Sequence, residues 1–73
     1  MTVNYKQAKE LSRYPHAFSH LDRWMVLNTQ TGAPVQGAYN EGMAQQAADL
    51  MNEHERRNNR APVYGVQALD KED

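Results

Sequence analysis

Seventy-three residues leave room for one hydrophobic core and no second domain, near the lower limit for chains that fold without staples. The absence of cysteine removes both a disulfide framework and a thiolate zinc site, so packing, with oligomerisation as a possible aid, has to supply the stability. Eight basic against nine acidic residues give a net charge of −1, too little positive charge for strong non-specific nucleic-acid binding, which rests on phosphate neutralisation.

No basic amino-terminal region precedes an apolar run, and no apolar stretch approaches the roughly 20 residues of a membrane span. A cytoplasmic protein is therefore expected, with no membrane partner. Charge is unevenly spread: residues 1–30 carry +2, through Lys6, Lys9, Arg13 and Arg23 against Glu10 and Asp22, and residues 31–73 carry −3.

Along the chain, Asn4 is placed to cap a short helix whose Tyr5, Ala8, Leu11 and Ser12 follow helical spacing, and Pro15 forces its end. Its apolar stripe is thin, so it is expected to form by docking Tyr5 and Leu11 on the rest of the fold. His16 to Leu21 reads as one further helical turn opened by Pro15 or as an irregular link, anchored by Phe18 and Leu21.

Arg23 to Asn28 is the strongest strand, with Trp24 and Val26 on one face and Met25 and Leu27 on the other. A strand apolar on both faces is expected at the centre of a sheet covered above and below. Thr29-Gln30-Thr31-Gly32 reads as a type I turn with Gly32 left-handed, in a three-residue hairpin loop with a bulge. Pro34 lacks a donor, which confines the returning strand to an edge, where Val35, Gly37 and Tyr39 share a face.

Asn40 is placed to cap the main helix, with Glu41 in its first turn and Tyr39 stapling onto Ala44. Met43, Ala47, Leu50, Met51 and His54 form one continuous face, widened by Ala44 and Ala48. Arg56 and Arg57 complement the carboxyl end of the helix dipole, and Asn58 or Asn59 supplies a left-handed stop. Pro62 to Leu69 is a third strand, and Asp70 to Asp73 an acidic tail expected to fray.

A right-handed crossover through the main helix sets the third strand parallel to the second, and placing it beyond the first makes each neighbouring pair antiparallel. The expected architecture is thus α+β: a three-stranded antiparallel sheet of order 2-1-3 in a ββαβ core spanning residues 23–69, after an amino-terminal helix and link over residues 1–22. The main helix covers one face. The other is left to Leu11, Tyr14 and Phe18 or to another chain.

Candidate sites are few. His16 and His20 at i, i+4, with Asp22 behind them, have metal-binding spacing, but no third ligand is fixed, and two exposed polar residues in a link are the simpler reading. His54 extends the helix face and has no nucleophile or carboxylate placed beside it by spacing. Arg56, Arg57 and Arg60 form a basic cluster suited to phosphate, diluted by Glu53 and Glu55, with a Glu53–Arg57 pair at i, i+4 as the structural alternative. Lys6, Lys9 and Arg13 form a basic stripe on the first helix, a solvated face or a dock for an acidic partner. There is no Gly-rich phosphate loop and no nucleophile–base arrangement, so neither an enzyme nor a cofactor is expected.

The pattern Trp24-Met25-Val26-Leu27-Asn28, Thr31-Gly32, Pro34-Val35, then Ala44, Ala47, Ala48, Leu50 and Asn52, resembles small proteins encoded by bacteriophages and prophages, over residues 23–69. The resemblance implies an accessory protein that acts by binding, often by blocking a host bacterial enzyme or defence complex. It carries no functional residues across. The leading expectation is a non-enzymatic protein-binding module whose anchors are Trp24, Tyr14, Phe18 and Tyr64, because large aromatic groups dominate binding energies. The alternatives are a nucleic-acid binder using Arg56, Arg57, Arg60 and the Lys6/Lys9/Arg13 stripe, and a homo-oligomer joined through an uncovered face or the Pro62–Leu69 edge.

Overall fold

The strand β1, Trp24–Asn28, is the middle of a three-stranded antiparallel sheet in the computed structural model, which describes residues 3–70. Its neighbours are β2, Pro34–Ala38, and β3, Tyr64–Ala68, in the order β2-β1-β3. Two helices complete the α+β architecture: α1, Tyr5–Leu11, and α2, Glu41–Arg57, with a single 3-10 turn at Pro15–Ala17 between α1 and the sheet.

Alternation along β1 feeds two separate cores. Val26, fully buried, packs with Ala38, Ala44 and Ala48 beneath α2, joined by the half-buried Trp24, Ala47, Met51, Tyr64 and Val66. On the opposite face Met25 packs with Ala8, Phe18 and Leu69, joined by Val3, Tyr5 and Leu27. The amino-terminal segment therefore covers the second face of β1.

The cover uses part of the expected set, with Phe18 buried and Tyr5 packed beside it, and adds Ala8. Leu11 and Leu21 are 63% and 50% exposed, whereas Ala8 and Phe18 are buried. A small residue at position 8 lets α1 lie close to the sheet, and the Phe18 ring fills the space beside Gly37, where a Cβ would stand 2.9 Å from Phe18 Cδ1 and 2.0 Å from Asp22 Oδ2. Asn4 caps α1 in a reciprocal capping box with Gln7, which satisfies two of the free amide groups at the helix start.

The same effect of size turns α2. Ala44 and Ala48 are buried, while Met43 and Leu50 are 53% and 63% exposed, so the helix meets the sheet through its alanines rather than through its largest apolar side chains. Tyr39 is also exposed and forms no tight staple on Ala44. Asn40 caps the helix through Met43 N–H at 2.8 Å, and Asn59, at φ 58°, takes the left-handed stop.

The hairpin closes through Gly32 N–H to Asn28 O (2.7 Å) and Asn28 N–H to Ala33 O (3.0 Å), with Gly32 at φ 76°. Its loop is thus one residue longer than the three-residue expectation. The register slips between Val26 and Leu27, which pair with Gln36 and Pro34, so the extra residue is Val35.

The outer edge of β3 is tied at its two ends and open between them. Thr29 N–H donates to Val63 O and Leu69 N–H to Arg23 O, both at 2.8 Å, and by alternation Tyr64, Val66 and Ala68 turn their backbone groups outward. The Asn52 side-chain amide takes both groups of Tyr64, donating to its carbonyl at 3.0 Å and accepting from its N–H at 2.9 Å. Further along, Asp70 bridges to the chain at Val3–Tyr5, with Tyr5 N–H on Asp70 O and Asp70 N–H on Val3 O, both 3.3 Å. Asp70 is therefore tied into the sheet rather than frayed; positions 71–73 of the expected tail lie outside the described residues.

Candidate binding cleft at the hairpin end of the sheet

Four segments converge where the hairpin turns. The link after α1 brings Arg13 and Tyr14, the β1–β2 turn brings Asn28, Thr31 and Ala33, β2 brings Pro34 and Val35, and the start of β3 brings Tyr64; together they line an open cleft of about 300 Å³. That volume is at the low end for small-molecule sites and fits one or two side chains of a partner better than an enclosed metabolite.

Each wall has a local cause. Helix α1 ends at Leu11 with Ser12 as its cap, so Arg13 lies beyond the helix that carries Lys6 and Lys9 and belongs to the link that reaches the cleft. Ser12 is buried and its hydroxyl oxygen accepts from Tyr14 N–H at 3.0 Å, which sets the direction of the chain as it leaves the helix. The Tyr14 ring is 52% exposed and meets His16 edge to face, with ring centroids 6.4 Å apart. Tyr64 is held from behind by the Asn52 clamp on its backbone and by packing under α2.

The polar lining is uneven in its hydrogen-bonding capacity. Asn28 Oδ1 accepts from the N–H groups of Gln30 (2.9 Å) and Thr31 (3.2 Å), and Thr31 Oγ1 accepts from Ala33 N–H (3.2 Å). The turn thus fills Asn28 Oδ1 and one lone pair of Thr31 Oγ1, and the Asn28 amide hydrogens and the Thr31 hydroxyl hydrogen have no protein acceptor among the described residues. Arg13 is exposed and has no carboxylate partner among them.

The remaining sequence candidates lie elsewhere. Phe18 is 5% exposed and belongs to the core, which leaves it no surface on which to anchor a partner, and Trp24 is half-buried under α2. Of the three arginines near the end of α2, Arg57 pairs with Glu53 at 2.7 Å and Arg60 with Glu55. Hydrogen bonding and the positive charge of Arg60 hold the Glu55 carboxyl below its usual range, and Glu55 in turn raises the Arg60 guanidinium. Arg56 is exposed. His54 lies on the exposed side of α2, with Asn58 Nδ2 3.5 Å from its Nε2. Among the described residues no group of three or more His, Asp or Glu side chains is arranged to hold a metal ion, so His16 and His20 gain no third ligand.

A second apolar feature runs along α2, where Met43 and Leu50 stand out beside the half-buried Ala47 and Met51, with Tyr39 just before the helix. No helix among the described residues is long and apolar enough to cross a membrane. No protein-family model, no curated protein and no solved structure matches this chain.

Proposed function

We propose that this protein is a non-enzymatic protein-binding module that takes its partner at the hairpin end of the sheet. The observation that carries this reading is the convergence in one open cleft of Tyr14 and Tyr64, two of the four aromatic anchors expected from sequence, with Arg13, which has no carboxylate partner among the described residues. Tyrosine and arginine are favoured as energetic centres of interfaces because they bury large, rigid area while keeping polar groups to pair. The resemblance to small phage and prophage proteins makes a bacterial host protein the natural partner, in the cytoplasm, with binding itself as the inhibitory or modulating act.

The ion pairs of Arg57 and Arg60 weigh against the nucleic-acid reading, since the phosphate-binding cluster is largely neutralised by Glu53 and Glu55. Asn52 at Tyr64 and the Val3–Tyr5 segment at Asp70 bound the β3 edge, so among the described residues the outward backbone groups left for self-pairing are the short stretch of Val66 and Ala68, which weighs against it. The test is photo-crosslinking from a benzoylphenylalanine placed at position 14 and, separately, at position 43. The reading expects one partner protein to crosslink from position 14 in bacterial lysate; crosslinking from position 43 alone would reject the cleft.

A further inference from the structure

The protein-binding reading names a place but no chemistry for the partner, and the hydrogen-bonding state of the cleft supplies it. We propose that the cleft receives an acidic peptide segment, one in which an aspartate or glutamate carboxylate sits beside an apolar or aromatic side chain; the proposal rests on the protein-binding reading above.

The argument is one of complementarity. The single charged side chain of the cleft is Arg13, a guanidinium with no carboxylate partner among the described residues. The turn has used both accepting positions of Asn28 Oδ1 and one of the two on Thr31 Oγ1, so Asn28 offers the cleft hydrogens and Thr31 has a hydroxyl hydrogen to give as well as one lone pair. A ligand group that satisfies three donors, one of them charged, must be an acceptor and is best an anion. Among the described lining residues Arg13 is the one cation, which suits the single charge of a carboxylate, whereas a phosphate dianion would leave charge uncompensated. The rest of the wall is apolar or aromatic, from Tyr14, Pro34, Val35 and Tyr64, so the group next to the carboxylate is apolar.

Specificity follows from the cost of a mismatch. A partner presenting an amide or a lysine where the carboxylate belongs would leave the guanidinium partly desolvated and unpaired, which is penalised more heavily than the matched pair is rewarded. Lys6 and Lys9, exposed on α1, add a longer-range attraction for an acidic chain without touching the cleft, and this part is screened by salt.

The experiment is an NMR titration of the full chain, ¹⁵N-labelled, with three acetylated hexapeptides that differ only at their centre: Asp-Phe-Glu, Asn-Phe-Gln and Lys-Phe-Lys. The expected result is amide shifts grouped at Arg13, Tyr14, Asn28, Thr31 and Tyr64 with the acidic peptide, at least about tenfold weaker binding of the amide peptide, and no binding of the basic one. Arg13→Gln should bring the acidic peptide down to the level of the amide peptide, and Arg13→Lys should restore part of the difference. Since Arg13 is exposed and has no ion pair among the described residues, both variants are expected to fold, and the unperturbed spectrum verifies it. Equal binding of acidic and amide peptides at the cleft would overturn the acidic preference and leave the binding reading standing. Shifts centred on Met43 and Leu50, or none at millimolar peptide, would overturn both.

Discussion

The two faces of the sheet are closed in different ways, though one strand, β1, serves both. Under α2, one 17-residue helix lays Ala44 and Ala48 against Val26 and Ala38, a close fit of small side chains with Asn52 fastening the helix to β3. On the other face the cover is assembled from short pieces: a seven-residue helix, one 3-10 turn, the Phe18 ring on Gly37, and backbone bridges at Val3–Tyr5 to Asp70. The first cover gains from helix cooperativity; the second depends on a few anchors and should open first. The candidate cleft lies at the open end of that patchwork, where the link presents Arg13 and Tyr14. Mobility there would let a partner be gripped without disturbing the packing beneath α2.

Removing the main anchor of the weaker cover should have the largest effect. Phe18→Ala is expected to cost about 3–5 kcal/mol, against a total stability of roughly 4–11 kcal/mol for 73 residues. Urea unfolding should show it as a sharply lower midpoint; a loss under about 1 kcal/mol would mean that the ring does not hold this face.

A subtler change separates the faces. In Gly37→Ala the new Cβ would collide with the Asp22 carboxylate and the Phe18 ring, at a cost of about 1–3 kcal/mol. Hydrogen exchange should then speed up in α1 and the link while α2 keeps its protection. Equal loss in both helices would show that the two covers open as one unit.

Asn52→Ala tests the stronger side. It leaves Tyr64 without its two side-chain bonds, for an expected loss of about 1–2 kcal/mol, and lengthens the free edge of β3. Sedimentation at two concentrations should reveal association in the variant beyond that of the parent chain.

The smallest effect concerns pH. Because Arg60 lowers the folded-state Glu55 carboxyl, that pair contributes stability above the ordinary carboxylate range and loses it as pH falls through the lowered value. The raised Arg60 guanidinium keeps its contribution until strongly alkaline pH. The stability gap between the parent chain and Glu55→Gln should therefore be constant from neutral pH to about pH 5 and close below it. A gap that widened on acidification would contradict this pairing.

Much of this arrangement is legible in the sequence, for identifiable reasons. The apolar run Trp24–Leu27, without polar alternation, required two covers and so a central strand, and Pro34 placed β2 at an edge. Asn4 and Asn40 marked both helix starts by their capping chemistry. Periodicity found the buried side of each helix, through Ala8, Ala44, Ala47, Ala48 and Met51, but set its edges too wide. Large apolar residues at helical spacing pointed to Leu11, Met43 and Leu50, yet close approach to a sheet selects the smallest residues, Ala8, Ala44 and Ala48.

The cleft was legible only in parts. Tyr14 and Tyr64 were candidates by type, and Arg13 as part of a basic stripe. Nothing local joins positions 13, 31 and 64, because their meeting depends on the link crossing to the hairpin end and on β3 returning beside β1. The Asn52 clamp is likewise a contact between residues 12 positions apart that no helical spacing announces. Its only sequence signal is an amide at position 52, between the half-buried Met51 and the start of the last turns of α2.

The most direct test of the account compares two exposed surfaces on one molecule. Quantitative affinity capture from bacterial lysate would use the parent chain, the double variant Arg13→Gln with Tyr14→Ala in the cleft, and the double variant Met43→Gln with Leu50→Gln on the flank of α2. All four side chains are exposed, so the fold should survive in each. The account predicts that the cleft variant loses a partner which the flank variant keeps. Retention by the cleft variant together with loss by the flank variant would contradict it and move the binding surface to α2.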